Sequence, residues 1–202
     1  MIRSTKSLST LLLAGLIAAG AASPAAARNG HHQVPPPLVP ANLEVPDGYH
    51  VDRIAYAAGT QNQICLPGAS ETGLVWSFLG PQATLFDRHG AQVATHYLSG
   101  NPEEDGTARP TWQHSRDTSA VWAKPVASST DPEFVEAGAV PWLLLEVVGS
   151  AAGPEDGARL SETSYIQRID TAGGLTPAGG CTPLGAKKFV PYSAVYVFYR
   201  AD

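Results

Sequence analysis

Charge of one sign is scarce in this chain of 202 residues. Its 13 basic and 18 acidic residues, 15% charged in all, form no basic stripe that could displace counterions from a phosphate backbone. No nucleic-acid partner is expected. Cysteine is nearly absent too, with only Cys65 and Cys181, far apart and without a CxxC partner. Metal-ligand spacing is therefore missing. No GxGxxG, P-loop, GxSxG or HExxH motif occurs, which leaves dinucleotide binding, phosphate cradling, nucleophile-elbow hydrolysis and zinc proteolysis without a signature. No cofactor and no metal are expected. Long amphipathic helices are lacking as well, and 132–137 offers one turn or two at most.

The longest apolar run is at the N-terminus. Arg3 and Lys6 precede a mostly apolar stretch over 8–22, and small residues end in Ala25-Ala26-Ala27 before Arg28. The run is short for a membrane span and has the order of a secretory signal peptide, so 1–27 is expected to be removed. That takes Arg3 and Lys6 from the basic residues and none from the acidic ones, moving the formal net charge further below -5. The mature chain is expected in a secreted or periplasmic compartment, without insertion into a membrane. Outside the reducing cytosol, two cysteines are most simply a Cys65–Cys181 disulfide.

Residues 28–42 hold His31, His32, Pro35-Pro36-Pro37 and Pro40, a Pro-rich lead-in expected to be extended and mobile. One domain then spans 43–202. Short alternating or apolar runs at 51–57, 61–66, 74–79, 83–86, 93–98, 111–115, 120–126, 142–148, 165–171 and 194–200 are separated by Gly, Pro, Asn and Asp. The punctuation includes Pro67-Gly68, Gly80-Pro81 and Gly173-Gly174. About ten short strands at this spacing predict an all-β fold, a single-domain antiparallel sandwich or barrel. Over 142–148 the apolar residues occupy both parities, which predicts a central strand buried on both faces.

The densest polar and aromatic stretch runs from Arg109 to Asp117. On a strand, Trp112, His114 and Arg116 share a face, where stacking and directed hydrogen bonds could hold a ligand. His96 could join His114, His89 or Asp117 as an acid–base group or ligand. The candidate ligand-binding set is therefore His96, Trp112, His114, Arg116 and Asp117. The plainer alternative is that Trp112 is core and the histidines are hydrogen-bonded structure. Trp76 and Phe78, at i and i+2, are expected on one core face. Glu146 sits inside an apolar strand and needs a partner there, and Arg168 is the natural one, giving an expected buried ion pair.

Many ordered motifs carry a resemblance. Gly59-Thr-Gln61 leading to Cys65, Trp76-Ser-Phe78 and Pro81-Gln-Ala-Thr-Leu85 open it; His96-Tyr97, Pro110-Thr-Trp112 and Pro141-Trp-Leu-Leu-Leu145 continue it. Tyr165-Ile-Gln-Arg168, Thr171-Ala-Gly-Gly174, Gly180-Cys181 and Tyr196-Val-Phe-Tyr199 complete it. From about Leu43 onward the chain resembles the domain of unknown function 3455 family, found in exported bacterial and fungal proteins. The resemblance implies no established activity and no agreed catalytic residues. A dehydrogenase label on some fungal relatives has no dinucleotide motif to support it here. Two departures stand out: Asp117-Thr118-Ser119 where the family leads one to expect Asp-Gly-Ser, and an insertion-like stretch from Asn101 to Ala108.

Three functions follow, in order. First is an exported soluble binding module for a small molecule or an envelope or extracellular polymer. Second is a structural or interaction protein whose motifs are packing. Third is an enzyme with a His/Asp site, with or without a metal.

Overall fold

Besides Met1, the computed structural model describes residues 34–69 and 73–202. The expected signal peptide and the first part of the lead-in, with His31 and His32, lie outside the described residues.

Eight antiparallel strands close into a barrel in simple sequential order. They are β1 (Tyr49–Pro67), β2 (Leu74–Phe86), β3 (Gln92–Asn101), β4 (Thr107–His114), β5 (Ala120–Ser129), β6 (Trp142–Ala151), β7 (Tyr165–Gly173) and β8 (Lys187–Ala201), with β8 pairing back onto β1. Closure removes the free sheet edges that a sandwich would leave. Among the described residues only 3₁₀ turns supplement the strands, at Ala41–Leu43, Pro102–Glu104 and Pro154–Asp156. The stretch 132–137 is a turn and not a helix.

Eight strands replace the expected ten because two of the expected breaks, the gap after 57 and the Gly80-Pro81 turn, lie inside strands. Gly59-Thr60 continues β1, and Gly80-Pro81 bends β2 without ending it. Pro81 has no N–H to donate, yet β2 pairs with β3 only from Ala83 onward, so that side of Pro81 has no ladder to break. Here a proline marks a seam between strands.

The interior alternates small with large. Ala55, Ala57, Ala83, Ala94 and Ala194 leave room for Trp112, Tyr196, Phe198 and Leu145, all in one buried cluster. A second cluster lies outside the barrel on β6, β7 and β8, where Trp142, Leu144, Ile169, Val197 and Tyr199 pack under Val39 and Leu43. Strand β6 is thus covered on both faces over Trp142–Leu145, whereas Glu146, Val147 and Val148 are only half-buried, so the two-parity pattern over 142–148 predicted the first part of the strand and not the whole of it. The described part of the lead-in is correspondingly not a free tail. Val34 bridges to Val51, Leu43 is fully buried, and Gln167 Nε2 donates to the Leu43 carbonyl at 2.7 Å.

The Cys65–Cys181 disulfide is present. It fastens the 174–186 connection to the end of β1, where β1, β2 and β8 run on past the rest of the barrel.

Candidate functional site

The up-and-down order gives the barrel two distinct ends. The upper end carries the β1–β2, β3–β4, β5–β6 and β7–β8 connections, and the lower end carries the other three together with the chain's entry into β1. The sequence-derived candidates divide between these ends.

At the lower end, β4 finishes at His114 and the chain turns through Arg116, Asp117 and Thr118 into β5. Asp117 ties that turn down. Its Oδ1 accepts from Ser119 N at 3.1 Å and Ser119 Oγ at 2.8 Å, while Oδ2 accepts from Arg159 N at 2.9 Å. His114 Nδ1 lies 3.0 Å from Asp117 Oδ1. Burial works to raise the Asp117 pKa, but the Arg159 and Ser119 hydrogen bonds overcome it and hold the carboxyl at about 2. Gly153 and Gly157 pack so closely on Asp117 that a Cβ at either would collide with its carbonyl oxygen or side chain. Through this knot the 152–164 connection folds across the barrel end and drives Leu160, 1% exposed, into the interior cluster. Thr118 sits at φ 56, the left-handed region that favours glycine, which accounts for the Asp-Gly-Ser expectation at this turn. Arg116 is in the turn and not on the strand, so it does not share the Trp112 face. It lines a recess of about 250 Å³ with His114, Arg53, Arg159 and Asp87.

At the upper end lies another cavity of about 250 Å³, and every strand contributes to its wall. Proline explains why this end is open. Pro81, Pro110 and Pro125 all border it, and near each the ladder fails. Pairing of β2 with β3 stops at Ala83, pairing of β4 with β5 stops at Thr111, and the β5–β6 ladder is irregular after Pro125.

The walls are largely aromatic. His96 and Trp112 face one another across adjacent strands and stack, with ring centroids 4.2 Å apart and planes 14° from parallel. Tyr196 meets both rings edge-on. His96 Nδ1 is 2.9 Å from the Thr111 carbonyl, which makes it the donor and leaves Nε2 as the acceptor of a neutral ring. Burial pushes the His96 pKa down to about 3; the Thr111 hydrogen bond opposes this, and the Arg168 charge adds to it. Burial raises Tyr192 and Tyr196 as well, so both stay phenols.

Polar groups in this wall are mostly donors. Arg168, half-buried, points Nε and Nη2 at the Pro141 carbonyl at 3.2 and 2.7 Å. Among the described residues no carboxylate comes within ion-pair distance of it, and none lines the cavity. Gln61 and Trp112, 3% and 0% exposed, each hold a side-chain N–H without a hydrogen-bond partner.

The expected Glu146–Arg168 pair is therefore not formed. Arg168 sits opposite Leu143 on β6, whereas Glu146 sits opposite Lys124 on β5 and is bound to it at 3.2 Å, with both side chains about 40% exposed. The strand pattern 142–148 concealed that Glu146 lies at an outward position. Nor do Trp76 and Phe78 form a core face; Phe78 is 55% exposed at the cavity mouth. The 101–108 stretch does not frame the cavity. Asn101 Nδ2 donates to the Val148 carbonyl, Glu103 accepts from Ser150 N, and Arg109 makes a bidentate bond to Glu104, fixing the hairpin to β6.

Gln61 and Tyr196 carried the family resemblance in the sequence but were not among the candidate site residues. The signal was the inward parity of 55, 57, 59 and 61 on β1 and of 192, 194, 196 and 198 on β8, which becomes readable only once closure shows which parity points in. Among the described residues no group of three or more His, Cys, Asp or Glu is placed to hold a metal ion, and no helix is long and apolar enough to cross a membrane.

Residues 46–200 match the model of a family described as protein of unknown function (DUF3455). No curated protein matches the chain. No solved structure matches it either.

Proposed function

The chain belongs to the DUF3455 family, and we propose that it is an exported binding protein that takes a small molecule into the upper end of its barrel. One observation carries this reading: a cavity built from all eight strands, with aromatic walls and two buried side-chain N–H groups left unpaired. A buried donor without a partner costs about 1–3 kcal/mol, so a fold retaining two beside a cavity gains from a guest that satisfies them. About 250 Å³ is roughly eight water molecules' share of liquid volume, which favours a small molecule over a polymer threaded through the barrel. Export is supported by the leader pattern over 1–27 and by the disulfide.

The test is thermal unfolding of the mature chain against a panel of small molecules, with Leu143→Trp as a variant whose cavity is filled. A ligand at a hundred times its Kd adds about 2.7 kcal/mol, or roughly 5–10 °C in Tm for a chain of this size. Saturable shifts in the wild type that vanish in Leu143→Trp support the reading. Equal shifts in both chains, or none across the panel, overturn it.

A second reading, an interaction protein, has one observation in its favour. The part of β1, β2 and β8 that runs past the barrel, with the adjoining 174–186 connection, exposes Leu66, Val75, Leu184 and Phe189. It predicts concentration-dependent self-association or partner capture that Phe189→Ser abolishes without changing Tm.

A further inference from the structure

From the same cavity, and resting on the binding reading above, we infer that the guest is a small monocarboxylate with an apolar, ring-sized body, its carboxylate meeting Arg168 and its body lying against Trp112 and Tyr196.

The argument begins with charge. A guanidinium taken partly out of water is costly unless an anion or several acceptors compensate it. The Pro141 carbonyl takes two of the five Arg168 N–H groups. The Tyr196 hydroxyl lies beside it, but among the described residues no carboxylate does. The mature chain is expected to be net acidic, yet among the described residues no acidic side chain lines this cavity. A cation inside an acidic protein, kept clear of the protein's own carboxylates, is an arrangement that discriminates for an incoming anion.

Directionality points the same way. Arg168 keeps N–H groups beyond those given to Pro141, the Tyr196 hydroxyl can donate as well, and Gln61 and Trp112 bring buried N–H groups into the same wall, against one acceptor nitrogen, His96 Nε2. A carboxylate offers only acceptors and suits Arg geometry bidentately. An ammonium group offers only donors and meets a like charge, so it is excluded. Phosphate is a poorer fit, because its second charge would need a second cation and, among the described residues, Arg168 is the only charged one in the wall. The guest's other end is set by the Trp112, Tyr196, Leu143 and Leu145 surfaces, which give nothing to a polar body. His96 serves as a wall and not as a second cation, because its ring stays neutral.

Benzoate and benzamide are suitable probes, since they share a shape and differ in charge. Titration calorimetry on the mature wild-type chain should give at least about tenfold tighter binding of benzoate, the value of one charge-assisted hydrogen bond. The gap should close in Arg168→Gln. Equal affinities, or a preference for benzamide, with both ligands lost in Leu143→Trp, would overturn the carboxylate assignment while leaving the cavity as the binding site. Binding of either ligand that survives Leu143→Trp unchanged would overturn the cavity reading itself. Comparing two ligands on the wild-type chain decides the charge question even where Arg168→Gln fails to fold.

Discussion

The two ends of this barrel are built from the same kinds of residue and have opposite outcomes. At the lower end, Asp117 is met by three hydrogen bonds from Ser119 and Arg159, and Leu160 fills the interior behind it. At the upper end, Arg168 has a carbonyl and no carboxylate, two buried N–H groups have no partner, and space remains. A satisfied polar group closes an end and acts as structure. An unsatisfied one beside empty space is the feature on which the proposed binding site rests. The contrast reassigns the candidates: Asp117 and His114 belong with the knot, and His96 and Trp112 belong with the cavity.

The sharpest way to break this comparison is to truncate a leucine at each end. Leu160→Ala removes a fully packed side chain and should cost about 3 kcal/mol, whereas Leu143→Ala, partly buried beside existing space, should cost about 1 kcal/mol. Urea unfolding checks both. Equal losses would mean that the upper cavity is not a true packing deficit.

Next in size is the acid response. The folded chain holds His96 near pKa 3 against an ordinary 6.5, so between these values the unfolded chain binds the proton and the folded chain does not. Stability from this group is complete above about pH 6.5 and is lost as pH falls towards 3. From pH 7.5 to pH 5 the loss should be about 2 kcal/mol, and His96→Gln should remove it. At the other end, burial lowers His114 in the same direction, but the Asp117 charge opposes it, so His114→Gln should remove less. A wild-type pH slope retained in His96→Gln would show that the ring is hydrated in the folded state.

The smallest effect concerns the lower turn alone. Thr118→Gly relieves a left-handed residue, at some cost in unfolded-chain entropy, and should stabilise by about 0.5 kcal/mol. A loss of stability would mean that the Thr118 side chain holds the 152–164 connection.

Much of the architecture was legible in advance, because alternation and punctuation are local. The short runs identified an all-β antiparallel chain, the cysteines their own pairing, and the two-parity run over 142–148 a strand whose first half is covered on both faces. Strand count was misread at Gly59-Thr60 and Gly80-Pro81, since Gly59 keeps both backbone groups and is paired on both sides, and Pro breaks a strand only where a neighbouring ladder needs its N–H. The site was legible in part. Trp112 and His114 do share the inward face, but their assignment to different neighbours depends on strand length and register.

What the sequence determined by itself was therefore periodic and chemical: which residues alternate, which are cationic or aromatic, and which have no motif for common catalysis. The tertiary structure alone decided which parity faces inward, that Glu146 meets Lys124 and leaves Arg168 without an anion, and that prolines scattered from 81 to 125 border one opening. Those outcomes depend on barrel closure and on pairing between distant strands, where a one-residue change in register sends every side chain to the opposite face.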